Sequence, residues 1–394
     1  MTQPIPIFQE QETFYVPYFE IRIQNERLPN NIIRDVMQVT YRDSTNDIDS
    51  FDLTINNYDA TTRTHKYEGA LPSNSSYRGI FDPGKRIELY MGYRGQRQNV
   101  RKMLVGVITT VEPTFNETGS TTLSVRGQNV LFLYKKKQHT YSWDGKKDSE
   151  IAHWIGQQRV TDERPGLGVE VRVNSEAQAR ETPETHVFMN NQYDIVFLIE
   201  RARRRGYSVF LEYDEQTQRE YISFGPSLNI RDITYKLEWG KSLIQVRPTL
   251  TTVNQVSQVT VRGWNRRTGR PIVGHTDLND RHIRISPDQR AIAEVVQHHE
   301  IVTDRPVHTE AEARQLARDI LQHQLHEMVK VDASTVGLPD LRAGRKVHLA
   351  RLGPRYSGQY FITETTHVIN ESGYRTSFKA KREAPLPNTR EEVL

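Results

Sequence analysis

Histidines and carboxylates are the residues of this sequence that could hold a metal ion or transfer protons. His323 and His326 stand at i, i+3 in a helical segment, and His326-Glu327 resembles half of the H-E-x-x-H zinc motif. The second histidine of that motif is missing because position 330 is Lys. His298, His299 and Glu300 are adjacent, so in a strand their side chains point to opposite faces. The sequence therefore predicts no metal site.

Nucleophilic catalysis and cofactor binding are not supported by any motif either. The chain has no cysteine, no G-x-S-x-G elbow and no glycine-rich phosphate loop. "DLNDRH" (277–282) clusters oxygen ligands but lacks the spacing of a calcium loop. Glu150, Glu200 and Glu212 each fit an ordinary solvated position. We expect no catalytic residue and no cofactor, although carboxylates alone leave a peptidoglycan hydrolase open as an alternative.

The stretch "VTVRGWNRRTGRPIVGH" (259–275) combines a strand-like alternation with a tryptophan and two arginines. Trp264 could be a rim or inter-domain packing residue where a strand leaves a sheet. It could also anchor a subunit contact together with Arg266 and Arg267, because Trp and Arg are common interface anchors. A nucleic-acid site is the least favoured alternative. Trp264, Arg266 and Arg267 are therefore the candidate interface residues.

Bulk properties set the class of protein. The 394-residue chain has 53 basic and 49 acidic residues, a net charge of +4, and a mean hydropathy of −0.69. This nearly balanced charge predicts no specific nucleic-acid binding. The N-terminus lacks a secretory signal pattern, and no apolar run approaches the ~18 residues of a membrane helix. We expect a protein made in the cytoplasm, with no membrane partner.

Alternating β-branched and polar residues dominate the first 130 positions and predict antiparallel strands. Examples are "FYVPYFEIRI" (14–23), "DVMQVTYRD" (35–43) and "DSFDLTINN" (49–57). Because no helical crossover pattern separates these strands, they predict a closed or nearly closed barrel. Similar strands return from about residue 241 to the end of the chain.

Three helices are predicted between and within the strand regions. Asp148 or Ser149 is a plausible N-cap for the first. The second has an apolar stripe, arginines in its last turns that suit the helix dipole, and Gly206 at the C′ position. The third begins at Thr309, which forms a capping-box pattern with Glu312.

An internal duplication is the clearest organisational feature. "DPGKRIELYMGYRG" with the strands after it (82–127) parallels "RAGRKVHLARLG" with its strands (342–381). The predicted fold class is mainly β with an α+β insert: two tube-like antiparallel β-barrels, each with a flanking helix or long loop, joined by a mixed middle domain. The boundaries are a first barrel over 1–130, a middle domain over 131–240 with 264–307, a second barrel over 241–263 with 308–383, and a flexible tail over 384–394.

Four stretches together resemble the phage late control protein D family, the hub proteins of contractile tails, whose fold is also that of the N-terminal part of VgrG-type spike proteins. They occur in the family's order across nearly the whole chain. They are "FDPGKRIELYMGYRG" with "LVGVITTVEPTF", then "YDIVFLIERARRRGYSVFLE", then the Trp264 stretch, and last "EAEARQLARDIL" with "GLPDLRAGRKVHL", "SGQYFITETTHVI" and "GYRTSFKAKR".

The resemblance implies a structural, non-enzymatic baseplate hub, assembled in a phage-tail-like particle or virion. Such a hub is a homotrimer with pseudo-sixfold symmetry that joins a hexameric tail tube protein to a trimeric spike and initiates tube assembly. The needle that follows in VgrG-type proteins is not in this sequence, so a separate spike protein is the implied partner, beside other baseplate proteins. The alternatives are a hub with peptidoglycan hydrolase activity and a receptor-binding tail protein using Trp143, Trp154 and Trp264.

Overall fold

The structure is a computed structural model. It describes residues 5–6, 16–67, 79–94, 100–115, 121–225 without 160, 162, 206, 215, 216 and 218, and 234–382 without 254, 266, 267, 284, 286, 297, 304–306 and 308. The predicted C′ residue Gly206 and the tail over 384–394 lie outside these residues.

Strands make up most of the described chain. Those of the first part are β1 (Ile5–Pro6), β2 (Pro17–Ile23), β3 (Glu26–Arg27), β4 (Val36–Ser44), β5 (Ser50–Asn56), β6 (Tyr58–Asp59), β7 (Thr64–His65), β8 (Arg86–Tyr93), β9 (Arg101–Phe115), β10 (Thr121–Asn129), β11 (Gln138–Lys146) and β12 (Val171–Val173). Those of the second part are β13 (Glu184–Tyr193), β14 (Ser208–Asp214), β15 (Arg219–Gly225), β16 (Tyr235–Glu238), β17 (Leu243–Leu250), β18 (Gln258–Asn265), β19 (Arg270–Asp277), β20 (His299–Val302), β21 (Val329–Val336), β22 (Lys346–Ala350), β23 (Gly358–Asn370) and β24 (Gly373–Arg382).

The helices are fewer and lie mainly in the middle of the chain. They are α1 (Asn30–Asp35), α2 (Asp148–Gln157), α3 (Ser175–Arg180), α4 (Asp194–Arg204), α5 (Pro287–Val296), α6 (Glu310–His326) and α7 (Gly353–Tyr356), with a 3₁₀ turn over Val130–Tyr134. At α6 the predicted capping box is present: the backbone N–H of Glu312 donates to Thr309 Oγ1 at 3.2 Å, and that of Thr309 donates to Glu312 Oε2 at 3.3 Å. No helix of the described residues is long and apolar enough to span a membrane.

One continuous antiparallel sheet connects the two halves of the chain. Its strands lie in the order β17–β21–β24–β23–β4–β5–β10–β9, and β8 and β22 pair with the first halves of β9 and β23. One face of this sheet covers apolar side chains, whereas the other carries hydroxyl, amide and charged groups. Solvent-facing examples are Arg42, Ser50, Asp52, Thr54, Thr122, Ser124, Arg126, Arg375, Ser377 and Lys379. The predicted fold class, mainly β with an α+β insert, is confirmed. The two predicted barrels are not closed separately, because β4 and β23 pair and join them into one large curled sheet.

The duplication extends to single hydrogen bonds. Gly84 N–H donates to Ile108 O at 2.8 Å, and Gly344 N–H donates to Ile362 O at the same distance. Both glycines have positive φ, +91° and +83°, which L side chains rarely adopt. The register then shifts by one residue in both halves, at Thr109 and at Thr363. Each of these threonine hydroxyls donates to a carbonyl of the neighbouring strand, that of Arg126 or Lys379.

Three apolar cores underlie the sheets. The first lies under the first barrel, and a second fills the middle unit of α2, α4 and β11–β15. The third joins the second barrel to α6 and to the three-stranded sheet β19–β18–β20. Gly274 of β19 lets α6 approach closely, because a Cβ there would meet the Ala313 backbone at 2.1 Å.

The buried side chains of 264–307 belong to a different core from the one that the predicted boundaries give them. Ile272, Leu278, Ala293 and Val302 pack in the core of the second barrel, not in that of residues 131–240. The physical reason is α6: its apolar stripe packs against β18 and β19, and its far end meets the second barrel at Met328.

Candidate assembly interface

The two barrels meet where β4 pairs with the second half of β23. The register runs from Ser44 opposite Glu364 to Val39 opposite Ile369. The apolar pair at one end of this ladder is covered: Val39 is fully buried and Ile369 is 6% exposed. We call it the internal junction. It makes the two curled sheets one continuous surface.

A buried ionic cluster lies behind the internal junction. Arg342 Nε donates to Asp43 Oδ2 at 2.8 Å, and Arg342 Nη2 donates to the Tyr41 hydroxyl. That hydroxyl donates to Asp49 Oδ2 at 2.8 Å, and Arg203 Nη2 donates to Asp49 Oδ1 at 2.6 Å. All five residues have side chains with little or no exposure. The cluster thus ties β4, the loop before β22 and the C-terminal end of α4 together.

The two carboxylates of the cluster have pKa values shifted in opposite directions. Burial tends to raise the pKa of Asp43, but the guanidiniums of Arg342 and Arg203 outweigh it and the pKa is lowered. Burial dominates at Asp49, whose pKa is raised. Burial opposes ionisation of Arg342 too, yet the neighbouring acidic groups raise its pKa. Two guanidiniums therefore balance two carboxylates inside the protein.

Carboxylates with divergent pKa values often form acid–base pairs in enzymes. Here Asp43 and Asp49 are 3% and 6% exposed, and each is held by an arginine. Thr365 and the Ala343 N–H also donate to Asp43. These contacts fill the carboxylate's acceptor sites and leave no space for a substrate. The arrangement suits a structural lock between three units.

His367 of β23 is the titratable imidazole of this junction. It is fully buried, accepts from or donates to the Tyr374 hydroxyl at 3.0 Å, and contacts Leu341 O through Nε2 at 3.0 Å. Burial and the charge of Arg342 lower its pKa to about 3. The folded chain therefore holds this imidazole neutral at physiological pH.

The neutral His367 makes folding sensitive to acid. An unfolded histidine binds its proton near pH 6.5, so above that pH the buried neutral His367 does not reduce the free energy of unfolding. The free energy of unfolding decreases by at most about 1.4 kcal/mol per pH unit as the pH falls from about 6.5 toward the folded-state pKa. We expect the urea midpoint to fall between pH 7.5 and 5.5, and to fall less in His367→Gln. An equal pH slope in both proteins would exclude this role.

Two strand edges correspond to the internal junction but have no partner among the described residues. By the duplication, Thr110–Phe115 of β9 corresponds to Glu364–Ile369 of β23. Val246–Thr251, at the end of β17, corresponds to Val39–Ser44 of β4, since both strands shift register at one residue, Ile244 or Met37. We call them the β9 edge and the β17 edge.

On one face of these edges the side chains are apolar, and they are less covered than their counterparts at the internal junction. Phe115 is 62% exposed, whereas its counterpart Ile369 is 6% exposed. Val246 is half-buried, whereas its counterpart Val39 is fully buried. The exposure is thus a direct consequence of the missing neighbouring strand. Each end of the eight-stranded sheet presents the half of a junction that the chain completes once internally.

The predicted interface residues lie away from these edges. Trp264 is on β18, opposite Pro271 of β19, and is 62% exposed. It shares its sheet face with Val273 and Ile301, which are 44% and 49% exposed. Its own chain therefore does not enclose it, and a contact with another chain stays a prediction. Arg266 and Arg267 lie outside the described residues.

Trp264 gives a direct test of that prediction. Because the side chain is largely exposed, we expect Trp264→Ala to change the free energy of unfolding by less than about 0.5 kcal/mol. If Trp264 anchors a subunit contact, the variant should nevertheless bind its partner chain at least tenfold more weakly than the natural protein does. Urea unfolding measures the first effect, and light scattering or co-sedimentation with candidate partner chains measures the second. Unchanged binding would remove Trp264 from the interface.

The other residues that the sequence analysis singled out make contacts within their own chain. The predicted N-cap of α2, Asp148 or Ser149, is wrong: both lie in the first turn, and the N-cap is Lys147, whose backbone N–H donates to Glu150 Oε2 at 3.1 Å. The buried carboxylate of Asp148 instead pairs with Arg201 and Arg205. His326 hydrogen-bonds with Gln322 at 2.9 Å. No group of three metal-ligating side chains occurs among the residues that the structure describes. The ionic cluster was missed because its members come from three segments that are distant in sequence.

Comparison with known structures defines the class of fold. The chain is similar to the 43 kDa tail protein of prophage MuSo2 from Shewanella oneidensis, with a TM-score of 0.59 and 13% identity over 93% of this chain and 98% of that one. It is also similar to a tail protein from Neisseria meningitidis MC58, with a TM-score of 0.58 and 13% identity over 94% and 97%. The fold is therefore that of phage tail proteins.

A family model matches most of the sequence. The family is described as the Alg8 N-terminal domain, and its model matches residues 15–371. The chain belongs to this family. A search of curated proteins gave no match. The narrower resemblance to the late control protein D family stays a prediction.

Proposed function

We propose that this protein is a structural baseplate hub of a contractile tail or injection machine. In this proposal three copies form a ring of six barrels that presents pseudo-sixfold symmetry to a hexameric tail tube. The opposite side presents threefold symmetry to a separate trimeric spike, and the ring initiates tube assembly. The number of copies comes from the family resemblance of the sequence.

The single observation that carries the proposal is the run of eight strands from β17 to β9, whose two outer edges have no partner strand in the part of the chain that the structure describes. A chain with two equivalent barrels and two complementary edges can repeat head to tail until a ring closes. Ring closure would pair the β9 edge and the β17 edge of every copy, which removes the aggregation hazard of these two exposed edges. The fold shared with phage tail proteins supports this role.

The polar face of the sheet suits the wall of a channel. Two of its cations have carboxylate partners: Arg126 lies 3.1 Å from Asp52 and 3.2 Å from Glu112, and Lys379 lies 2.8 Å from Glu364. Paired charges on a surface release few counterions, so they attract nucleic acid weakly. Such a wall would let DNA or protein cargo pass without binding it specifically.

The mass of the protein in solution tests the hub proposal. Light scattering should give a trimer, either alone or with the cognate tube protein, and the trimer should seed six-membered tube rings. A chain that stays monomeric at all concentrations and ignores the tube protein would reject the proposal.

We further propose that the hub has no enzymatic activity. The buried position and ion pairing of Asp43 and Asp49 support this, as the two carboxylates with opposite pKa shifts are closed to substrate. The alternative, a hub that also degrades cell wall, would clear a turbid suspension of peptidoglycan. Clearing that survives in an Asp43→Asn variant would place such activity elsewhere in the chain.

A further inference from the structure

We infer that the β9 edge of one copy pairs with the β17 edge of the next copy, in a register set by the internal junction. The inference rests on the proposed ring, and it adds the residues that meet. Each copy would thus contribute both halves of the same contact, so that the partner is a second copy of this chain.

The register follows from the duplication. At the internal junction Ser44 lies opposite Glu364 and Val39 opposite Ile369. Replacing each residue by its counterpart places six residues of one copy opposite six of the next. The pairs are Thr251 with Thr110, Leu250 with Val111, Thr249 with Glu112, Pro248 with Pro113, Arg247 with Thr114, and Val246 with Phe115.

The backbone of the β17 edge is oriented for this ladder. Thr251 N–H donates inward to Met328 O at 2.9 Å. In an antiparallel strand alternate residues point their backbone groups to opposite sides, so Leu250, Pro248 and Val246 point theirs outward. The counterpart of Leu250 with Val111 is Asp43 with Thr365, and Thr45 N–H of the same parity donates to Thr363 O at 2.8 Å. The hydrogen-bonding positions of the two junctions therefore agree.

The side chains of the two junctions differ in character. The internal junction buries Tyr41, Asp43, Thr365 and His367, and the carboxylate of Asp43 needs the guanidinium of Arg342 behind it. The proposed contact replaces these polar groups by Pro248, Leu250, Val111 and Pro113. An apolar contact needs no buried counter-ion, so it can form between separate molecules by area burial alone.

The two prolines, Pro113 and Pro248, are compatible with strand edges that pair with another copy only after each chain has folded. Proline donates no backbone hydrogen bond, so it is tolerated on edge strands whose N–H side faces away from the sheet. In the proposed register Pro113 and Pro248 face each other at one hydrogen-bonding position. That position lacks both of its bonds, while the flanking positions, Leu250 with Val111 and Val246 with Phe115, keep theirs.

Engineered disulfides test the register, because the natural chain contains no cysteine. Thr249, Glu112, Arg247 and Thr114 lie at positions without ladder hydrogen bonds, where opposite side chains approach most closely. The variants Thr249→Cys/Glu112→Cys and Arg247→Cys/Thr114→Cys combine residues that the register places opposite each other. Thr249→Cys/Thr114→Cys is the matched control, shifted by two residues along β9.

Mild oxidation should convert most of each matched variant to covalent trimers, which non-reducing electrophoresis measures. The shifted control should give at least tenfold less covalent trimer. Preferential cross-linking of the shifted pair would overturn the register. A trimeric mass by light scattering with no cross-link in either matched variant would overturn the inference while leaving the hub proposal intact. A monomeric mass for the natural protein with and without tube protein would instead reject the hub itself.

Discussion

Phe115→Asp should dissociate the assembled ring into monomers without unfolding the chain. Phe115 is 62% exposed in the single chain, so its loss removes little from the core of the first barrel. In the ring it would lie opposite Val246, in the place where Ile369 is buried beside Val39. A carboxylate there would lose its hydration next to the apolar side chain of Val246, which is costly.

We expect the association constant of this variant to fall at least a hundredfold, about 2.7 kcal/mol per contact. Light scattering over a dilution series measures the fall, and circular dichroism checks the fold. Phe188→Asp is the matched control: Phe188 is 46% exposed on β13 of the middle unit and lies on neither edge. Retention of the full trimer by Phe115→Asp would show that the copies meet elsewhere.

Arg342→Met should be the most destabilising single change in the internal junction. Its guanidinium is 4% exposed and pairs with Asp43, which is 1% exposed. Removing it leaves a buried carboxylate with a weakened set of partners, a loss of about 3–5 kcal/mol in comparable buried pairs. The free energy of unfolding, measured by urea titration, should fall by that amount.

Arg204→Met provides the surface comparison for this prediction. Arg204 pairs with Glu200 at i, i+4 on α4 and is 60% exposed. Such pairs contribute about 0.3–0.5 kcal/mol. The double variant Asp43→Asn/Arg342→Met should recover part of the stability, because the orphaned charge is removed. If Arg342→Met cost no more than Arg204→Met, the buried cluster would not be the lock between the barrels.

Local patterns in the sequence were sufficient for the main strands, for the three helices α2, α4 and α6, and for the duplication, but not for the other helices, α1, α3, α5 and α7. The capping box at Thr309 and the glycine turns at Gly84 and Gly344 are local features, set by the geometry of a few neighbouring residues. The fold class followed from them. The division of the middle region did not, because the contact of α6 with β18 and β19 depends on tertiary packing over many residues.

The ionic cluster and the two edges illustrate what a single sequence conceals. The five residues of the cluster show no shared spacing, since Tyr41, Asp43 and Asp49 lie more than 150 residues from Arg203 and about 300 from Arg342. Arg203 was interpreted only as part of a run that suits a helix dipole, whereas its guanidinium reaches Asp49 at 2.6 Å. Phe115 was one of many strand residues until its buried counterpart Ile369 was known.

The β4–β23 ladder has a consequence for how fast a ring could form. Six separate barrels would need five successive encounters to gather, whereas three chains need two, because every second joint is made during folding. Each encounter avoided spares the translational and rotational entropy of association, about 4–15 kcal/mol at standard concentration. Joints held within one chain also act at a high effective concentration. Fusing the barrels thus lets the ring nucleate at protein concentrations at which unlinked barrels would stay dispersed.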